Sequence, residues 1–235
     1  MTTFSAHGIS VDLPHDGSTA RILDAVSFDL HGGDICDLTG PSGCGKSTLL
    51  RACARMMPMA SGELSLDGRP AEEFPGTEWR RRVCLVPQKP SLVGETVRDN
   101  LLLPWMLGVR KGETAPSSAR MRSIADAALL DDVDLDRPVS RLSGGQAARV
   151  ALLRAFLAKP DVLLMDEVDA ALDPEASAAV SALTKEAAAA GTACLRIRHR
   201  ASDGLATCIF AMHDASIEEI PAESRIGCTG RKEPA

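Results

Sequence analysis

The sequence predicts an α/β fold built on a parallel sheet, and three stretches carry that reading. Residues 40–48, Gly-Pro-Ser-Gly-Cys-Gly-Lys-Ser-Thr, set a glycine loop between a strand-like run, Ile35-Cys36-Asp37-Leu38-Thr39, and a helix start at Thr48-Leu49-Leu50-Arg51. Val162-Leu163-Leu164-Met165 is continuously apolar, as expected for a parallel strand covered on both faces, and it ends on Asp166-Glu167. Leu142-Ser143-Gly144-Gly145-Gln146 leads into a helix-like run through Val150, Leu152, Leu153, Ala155, Phe156 and Leu157.

In chain order, residues 8–38 alternate apolar and polar positions around Gly17 and Gly32-Gly33, which suggests short strands and turns. Ser61 to Gly68 reads as a strand closing on the Asp67-Gly68 turn. Val83-Cys84-Leu85-Val86 is a compact strand that ends at Pro87-Gln88. Residues 91–141 read as a helical insert interrupted by Pro104 and Pro116, with helical spacing over Arg120 to Leu130. The alanine-rich run 174–190 favours helix, Ala193 to His199 reads as the next strand, and the tail from Pro221 is polar. No internal repeat is visible.

At 235 residues the chain is one large domain, or a core with a small insert, and long enough to bury a substantial interior. A net charge of −6 disfavours broad nucleic-acid binding. The N-terminus shows no signal-peptide pattern and no run is long enough to span a bilayer, so the expectation is a soluble cytoplasmic chain whose membrane role comes through a partner. Seven cysteines without a C-x-x-C pair argue against a zinc or cluster site, and reduced thiols are expected. Cys44, inside the glycine loop, would make the protein sensitive to oxidation.

The chemistry follows from the residue types. Gly40, Pro41, Ser42, Gly43, Cys44, Gly45, Lys46, Ser47 and Thr48 fill the pattern G-x-x-x-x-G-K-[ST] of a phosphate-binding loop. Its backbone N–H groups converge on one anion, Lys46 reaches the terminal phosphates and the Ser47 hydroxyl reaches a magnesium ion. Asp166 can hold the magnesium hydration shell, and Glu167 can polarise an attacking water. Ser143 caps a second helix whose glycines expose further donors. One nucleotide has one terminal phosphate, which Lys46 serves. The second donor cluster, Ser143-Gly144-Gly145-Gln146, makes sense if it meets a nucleotide held by another chain.

Leu-Ser-Gly-Gly-Gln between such a loop and such an acidic strand resembles the nucleotide-binding subunit of the ATP-binding cassette family, and the resemblance covers nearly the whole chain. It implies a RecA-like phosphate-loop NTPase core with an antiparallel β subdomain and an inserted α-helical subdomain. On this division residues 1–90 and 142–235 form the core with its β subdomain, and 91–141 the helical part. It also implies Mg2+-dependent hydrolysis of ATP by two such subunits clamped head to tail, a homodimer being the expectation. An integral membrane permease would hold the pair at the inner face of the cell membrane. Gln88 resembles the glutamine that contacts magnesium and senses the membrane partner, Ala171-Leu172-Asp173 the aspartate loop that crosses the dimer interface, and His199 the switch histidine at the terminal phosphate.

His213 is a rival for that switch, but it lies too far beyond Glu167 and reads as a surface or strand-end residue. Three features depart from the family pattern. There is no tyrosine to stack on adenine, and Leu13-Pro14-His15 stands near its expected place. Arg196 and Arg198 share one face of a strand that should be internal, so they must find acids or that face must be partly open. Asp169-Ala170 replaces the commoner Thr-Ser before Ala171. The stretch from Pro87 to Trp105 is similar to an iron-export and metal-resistance type of cassette. Within it Leu101 to Leu107 offers an apolar surface that suits either a membrane partner's short helix or the insert's own interior. Competing readings are a soluble cassette for assembly or repair, a lipoprotein-release or cell-division type, and a nucleotide binder that does not hydrolyse. The last is disfavoured by intact Lys46, Asp166, Glu167 and His199.

Overall fold

Alternating apolar residues drive the first hairpin, β1 (Thr3–His15) against β2 (Ser18–His31). In the computed structural model, which describes residues 2–15, 18–89, 91–198 and 202–221, Phe4, Ala6, Ile9 and Val11 face the core together with Leu23, Val26, Phe28 and Leu30. The short strands expected here are in fact two strands of 13 and 14 residues. Register shifts between Ala6 and Ile9, and between Ile9 and Val11, absorb the irregular alternation without ending the pairing.

β3 (Ile35–Thr39) then enters a second sheet and delivers the chain to α1 (Lys46–Cys53). β4 (Ser61–Leu66) returns to β1, and β5 (Arg69–Pro70) follows it, giving an antiparallel sheet of order β2-β1-β4-β5. α2 (Gly76–Arg82) runs directly into β6 (Val83–Val86). Three helices follow: α3 (Val97–Met106), α4 (Ser118–Ala127) and α5 (Gly144–Ala158). Thr96 starts α3 with a capping box to Asp99, and Ser117 caps α4. Pro104 does not break the chain as its sequence position suggests. It lies inside α3 near the C-terminal end, so only the closing hydrogen bonds are affected.

The remainder alternates strand and helix: β7 (Val162–Asp166), α6 (Pro174–Ala189), β8 (Ala193–Ile197), then β9 (Cys208–His213) and β10 (Ser216–Pro221). The second sheet has the order β10-β9-β3-β8-β7-β6, parallel except for the β10 edge. Every residue of β7 and β8 is buried, which explains the apolar run Val162 to Met165 and requires Arg196, inside β8, to find acids. β8 stops at Ile197, short of the predicted His199, and Arg198 begins the following loop.

Two apolar clusters cover the parallel sheet. One joins it to the antiparallel sheet and α1 through Leu38, Leu49, Leu50, Phe4 and Trp79. The other joins it to the helices through Leu101, Met121, Ile124, Val150, Phe156, Leu163 and Val180. The expectation of reduced thiols fails at one pair: Cys36 and Cys208 form a disulfide. The parallel register sets these two residues opposite each other on neighbouring strands, a proximity that sequence separation hides. Cys44, Cys53, Cys84 and Cys194 are free, and burial pushes the Cys53 thiol up to about 12.

Trp79 is fully buried, stacks edge-on against Phe74 with ring centroids 5.5 Å apart, and donates its indole N–H to the Cys53 carbonyl at 2.9 Å. Trp79→Ala removes this volume and orphans the acceptor. It should lower the unfolding free energy by about 3–5 kcal/mol in urea titration, and a loss under ~1 kcal/mol would contradict this packing role.

Candidate active site

The site lies where β3, β7 and β8 end at one edge of the parallel sheet. Beyond β3 the backbone turns so tightly that a Cβ on Gly40 would stand 2.4 Å from the Met212 carbonyl oxygen, and Gly40 holds a φ of 146°. The loop thus folds against the end of β9. Gly45, with φ 106°, is the N-cap of α1 and packs on Ile22 and Leu23. Pro41, Ser42 and Gly43 are exposed, Cys44, Ser47 and Thr48 are half-buried, and Lys46 is buried. The predicted helix start at Thr48 moves back to Lys46, so the whole Lys-Ser-Thr run sits in the first turn. Lys46 Nζ donates to the carbonyls of Gly40 at 2.9 Å and Pro41 at 2.7 Å, inside the curl of the loop.

Two contacts reach the acidic end of β7, one from this loop and one from the segment after β6. Ser47 Oγ donates to Asp166 Oδ1 at 2.8 Å. Asp166 is only 3% exposed. Burial pushes its carboxyl up, helped by neighbouring Glu167; the Ser47 bond and the Arg51 and Lys46 charges work against that rise. Beside it, Gln88 Nε2 donates to Glu167 Oε2 at 2.7 Å. Glu167 takes a left-handed φ of 51°, and its N–H donates to the Ile197 carbonyl at the end of β8. Ser47 is 119 positions from Asp166 and Gln88 is 79 from Glu167, yet the consecutive acids Asp166 and Glu167 bring the two pairs into one group.

Hydroxyl, carboxylate and amide oxygens in this arrangement are the hard donors that magnesium prefers. Among the described residues no cluster of three His, Cys, Asp or Glu side chains could hold a metal, so any ion here would depend on this mixed set.

The second donor cluster is shaped by a capping box. Ser143 Oγ accepts from Gln146 N at 3.2 Å, and Gln146 Oε1 accepts from Ser143 N at 3.0 Å. The Gln146 side chain is thus engaged in its own helix start. Ser143 and Gly144 are exposed at the N-terminus of α5, whose first N–H groups suit an anion. Asp173 caps α6 by accepting from Ala176 N at 2.8 Å, and the backbone bonds at that helix start hold its carboxyl below the usual range.

Sequence reasoning overlooked Arg149, which fixes the start of α5 by donating to the Ala128 and Leu129 carbonyls at 3.1 and 2.9 Å. Its position four residues after Gly145 was the available signal. Also unforeseen were Asp37 and Asp203, the acids that receive Arg196. His199 lies outside the described residues, as does the His15 side chain; Leu13 packs partly against the core. His213 is exposed at the end of β9, in keeping with its reading as a strand-end residue.

The comparisons agree with this geometry. The family model described as ABC transporter matches residues 23–170. The chain is 38% identical over 154 residues to the "Probable iron export ATP-binding protein FetA" of Escherichia coli (strain K12), covering 66% of this chain and 67% of that protein. It is 37% identical over 183 residues to the "Hemin import ATP-binding protein HmuV" of Streptomyces coelicolor, covering 76% of this chain and 64% of that one, just under two thirds of its length. A bacterial Atm1-family ABC exporter with ATP bound superposes with a TM-score of 0.79 at 26% identity, over 92% of this chain and 38% of the exporter. A dimeric ATP-binding cassette in a post-hydrolysis state with ADP and Pi shares the fold, with a TM-score of 0.80 at 22% identity over 93% and 98% of the two chains. The matched span takes in the loop, the acidic strand and the capped Ser-Gly-Gly-Gln helix start, and the chain belongs to the ABC transporter family as one of its ATP-binding ATPase chains.

Proposed function

We propose that this chain hydrolyses ATP in a head-to-tail pair of identical copies, and that the pair drives transport through a separate membrane permease at the inner face of the cell membrane. The observation that carries the reading is the joined group Ser47–Asp166 and Gln88–Glu167 beside the phosphate loop, with Ser143 and Gly144 left exposed on another helix. The loop from Gly40 to Thr48 would hold the phosphate chain, with Lys46 exchanging its carbonyl partners for phosphate oxygens. Glu167 would accept a hydrogen bond from a water whose oxygen attacks the terminal phosphorus, as the bond to the bridging oxygen breaks and ADP departs. Gln88, already bonded to Glu167, would orient that carboxylate. The partner copy's Ser143-Gly144-Gly145-Gln146 start would complete the site, Asp173 would lie at the pair's interface, and His199 would contact the terminal phosphate.

Ser47, Asp166 and Gln88 fit a magnesium ion, because burial disfavours the ionised Asp166 and a bound cation would offset that. When bound, the ion would neutralise charge on the phosphate oxygens. We read the whole chain as one cassette, with residues 91–141 as the helical part and the rest as core.

The membrane partner has a natural seat. A groove of about 590 Å³ lies between α3, α5 and β6, lined by Leu103, Leu107 and Val109 and by Arg80, Arg81, Arg110 and Arg154, with no acid among its lining residues. Glu113, outside the lining, already pairs with Arg81 Nη1 and Arg110 Nη1, but Arg81 Nε and Arg154 Nη1 are buried without an acceptor, and Leu107 of the lining is 52% exposed. An apolar short helix carrying a carboxylate fits these demands. No helix among the described residues is long and apolar enough to cross a membrane itself. For cargo, the similarity to the iron-export protein favours outward transport of iron.

Glu167→Gln should cut ATP turnover at least about hundredfold while leaving a stable ATP-bound dimer on size exclusion; undiminished turnover would remove Glu167 from the chemistry. In inverted vesicles carrying the membrane subunit, ATP should drive accumulation of ferrous ion. Leu107→Glu should release the chain from those vesicles and abolish accumulation. Accumulation of another cargo but not iron would reject iron, and retention of the Leu107→Glu chain would reject the groove.

A further inference from the structure

Two residues that depart from the family pattern meet in this fold. Asp169 lies in the turn after Glu167, where Ala170 N donates to the Glu167 carbonyl and Leu172 N to the Asp169 carbonyl. Arg198 lies just beyond β8 and donates its Nε to Asp169 Oδ2 at 3.1 Å, with both side chains under 10% exposed. The other arm of the guanidinium, Nη1, stands 2.6 Å from Asp203 Oδ2. Asp203 also receives Arg196 at 2.9 Å and the Ser181 hydroxyl of α6 at 2.8 Å, and Arg196 in turn reaches Asp37 of β3 at 2.7 Å. A line of alternating charges, Asp169–Arg198–Asp203–Arg196–Asp37, thus runs from the turn after the acidic strand to the strand that feeds the phosphate loop.

Such a line is not a simple source of stability. Desolvating five charged groups costs several kcal/mol per ion, and well-packed apolar residues often replace buried ion pairs without loss. What the line does supply is direction. Arg198 holds Asp169 through a hydrogen bond from Nε and lies in ion-pair contact with Asp203 through Nη1, so one guanidinium links the two acids. The tethered turn borders both halves of the proposed composite site. Glu167 stands at its start, and at its end Leu172 approaches Gly145 at the head of α5: a Cβ on that glycine would lie 3.8 Å from Leu172 Cδ2. Asp173, capping α6, follows directly.

We propose that Arg198 is a positioning residue. By holding Asp169 it fixes the turn over residues 167–172, and pairing of two copies around ATP depends on that fixed turn. The inference rests on the paired-cassette reading above. It differs from a general structural role in one respect: it acts on pairing, and leaves the binding of nucleotide by a single copy, through residues 40–48, untouched.

The test uses the full chain in the Glu167→Gln background. ATP-driven dimerisation is followed by light scattering across protein concentration, and nucleotide binding by the monomer is followed with a fluorescent ATP analogue at concentrations too low to pair. Adding Asp169→Asn should weaken pairing about tenfold, within the range expected for a coupled buried pair, while monomer affinity changes less than about twofold. Arg198→Lys keeps the buried charge but cannot fork to both acids, and it should weaken pairing about threefold. It carries the test if the Asn variant does not fold. Pairing undiminished in the folded variants overturns the proposal, as does monomer binding that falls in parallel with pairing. Failure of Glu167→Gln alone to pair with ATP would instead overturn the composite-site reading on which the proposal rests.

Discussion

The hydrogen bond from Ser47 to Asp166 is the contact on which the candidate site depends, because it joins the glycine loop after β3 to the acidic end of β7. Ser47 belongs to the first turn of α1 and Asp166 to the last position of β7, with β8 lying between β7 and β3 in the sheet. The bond can form only if the loop after β3 curls tightly, and the curl requires Gly40, whose backbone presses on the Met212 carbonyl where no side chain would fit. The order of strands thus has a chemical consequence. It brings a hydroxyl and a carboxylate to one point with burial enough to make that carboxylate want a cation.

Burial of charge recurs across the same edge of the sheet. Asp37, Asp166, Asp169 and Arg196 are all under 7% exposed. The Asp37 carboxyl is pushed up by burial and opposed by Arg196. Burial works on Asp203 in the same upward sense, but the bonds from Arg196 and Ser181 more than offset it and hold it down to about 2. Two acids touching one arginine therefore have carboxyls moved in opposite directions. The apolar clusters below, from Trp79 on one face to Phe156 on the other, make such an edge affordable by supplying the bulk of the hydrophobic stabilisation.

Much of this was legible in the residues. The strand at 35–39, the loop at 40–48, the acidic end of β7 and the Ser143 cap are local patterns, each fixed by neighbours within a few positions, and their places in the fold match the sequence reading. The demand that Arg196 and Arg198 find acids was also readable from the cost of an unpaired buried cation, but which acids answer was not. Asp203 lies in a loop without periodicity, and Asp37 is an acid in an apolar strand whose partner is set by the parallel register between β3 and β8. The same limit hid the disulfide, since Cys36 and Cys208 are neighbours only through strand order. Pro104 misled in the other direction: a local rule for helix breaking gave way because the proline falls in a closing turn.

The central claim is that each catalytic site is shared between two copies, one giving the phosphate loop and the other the Ser143 helix start. The most direct measurement mixes two inactive chains, Lys46→Ala and Ser143→Arg, each soluble and folded. In a mixed pair one site carries both lesions and the other carries neither, so mixing should restore ATP hydrolysis to a substantial fraction of the unmodified rate. If every mixture stays as inactive as its components while the two chains are shown to associate, the site is not shared and the central claim is wrong.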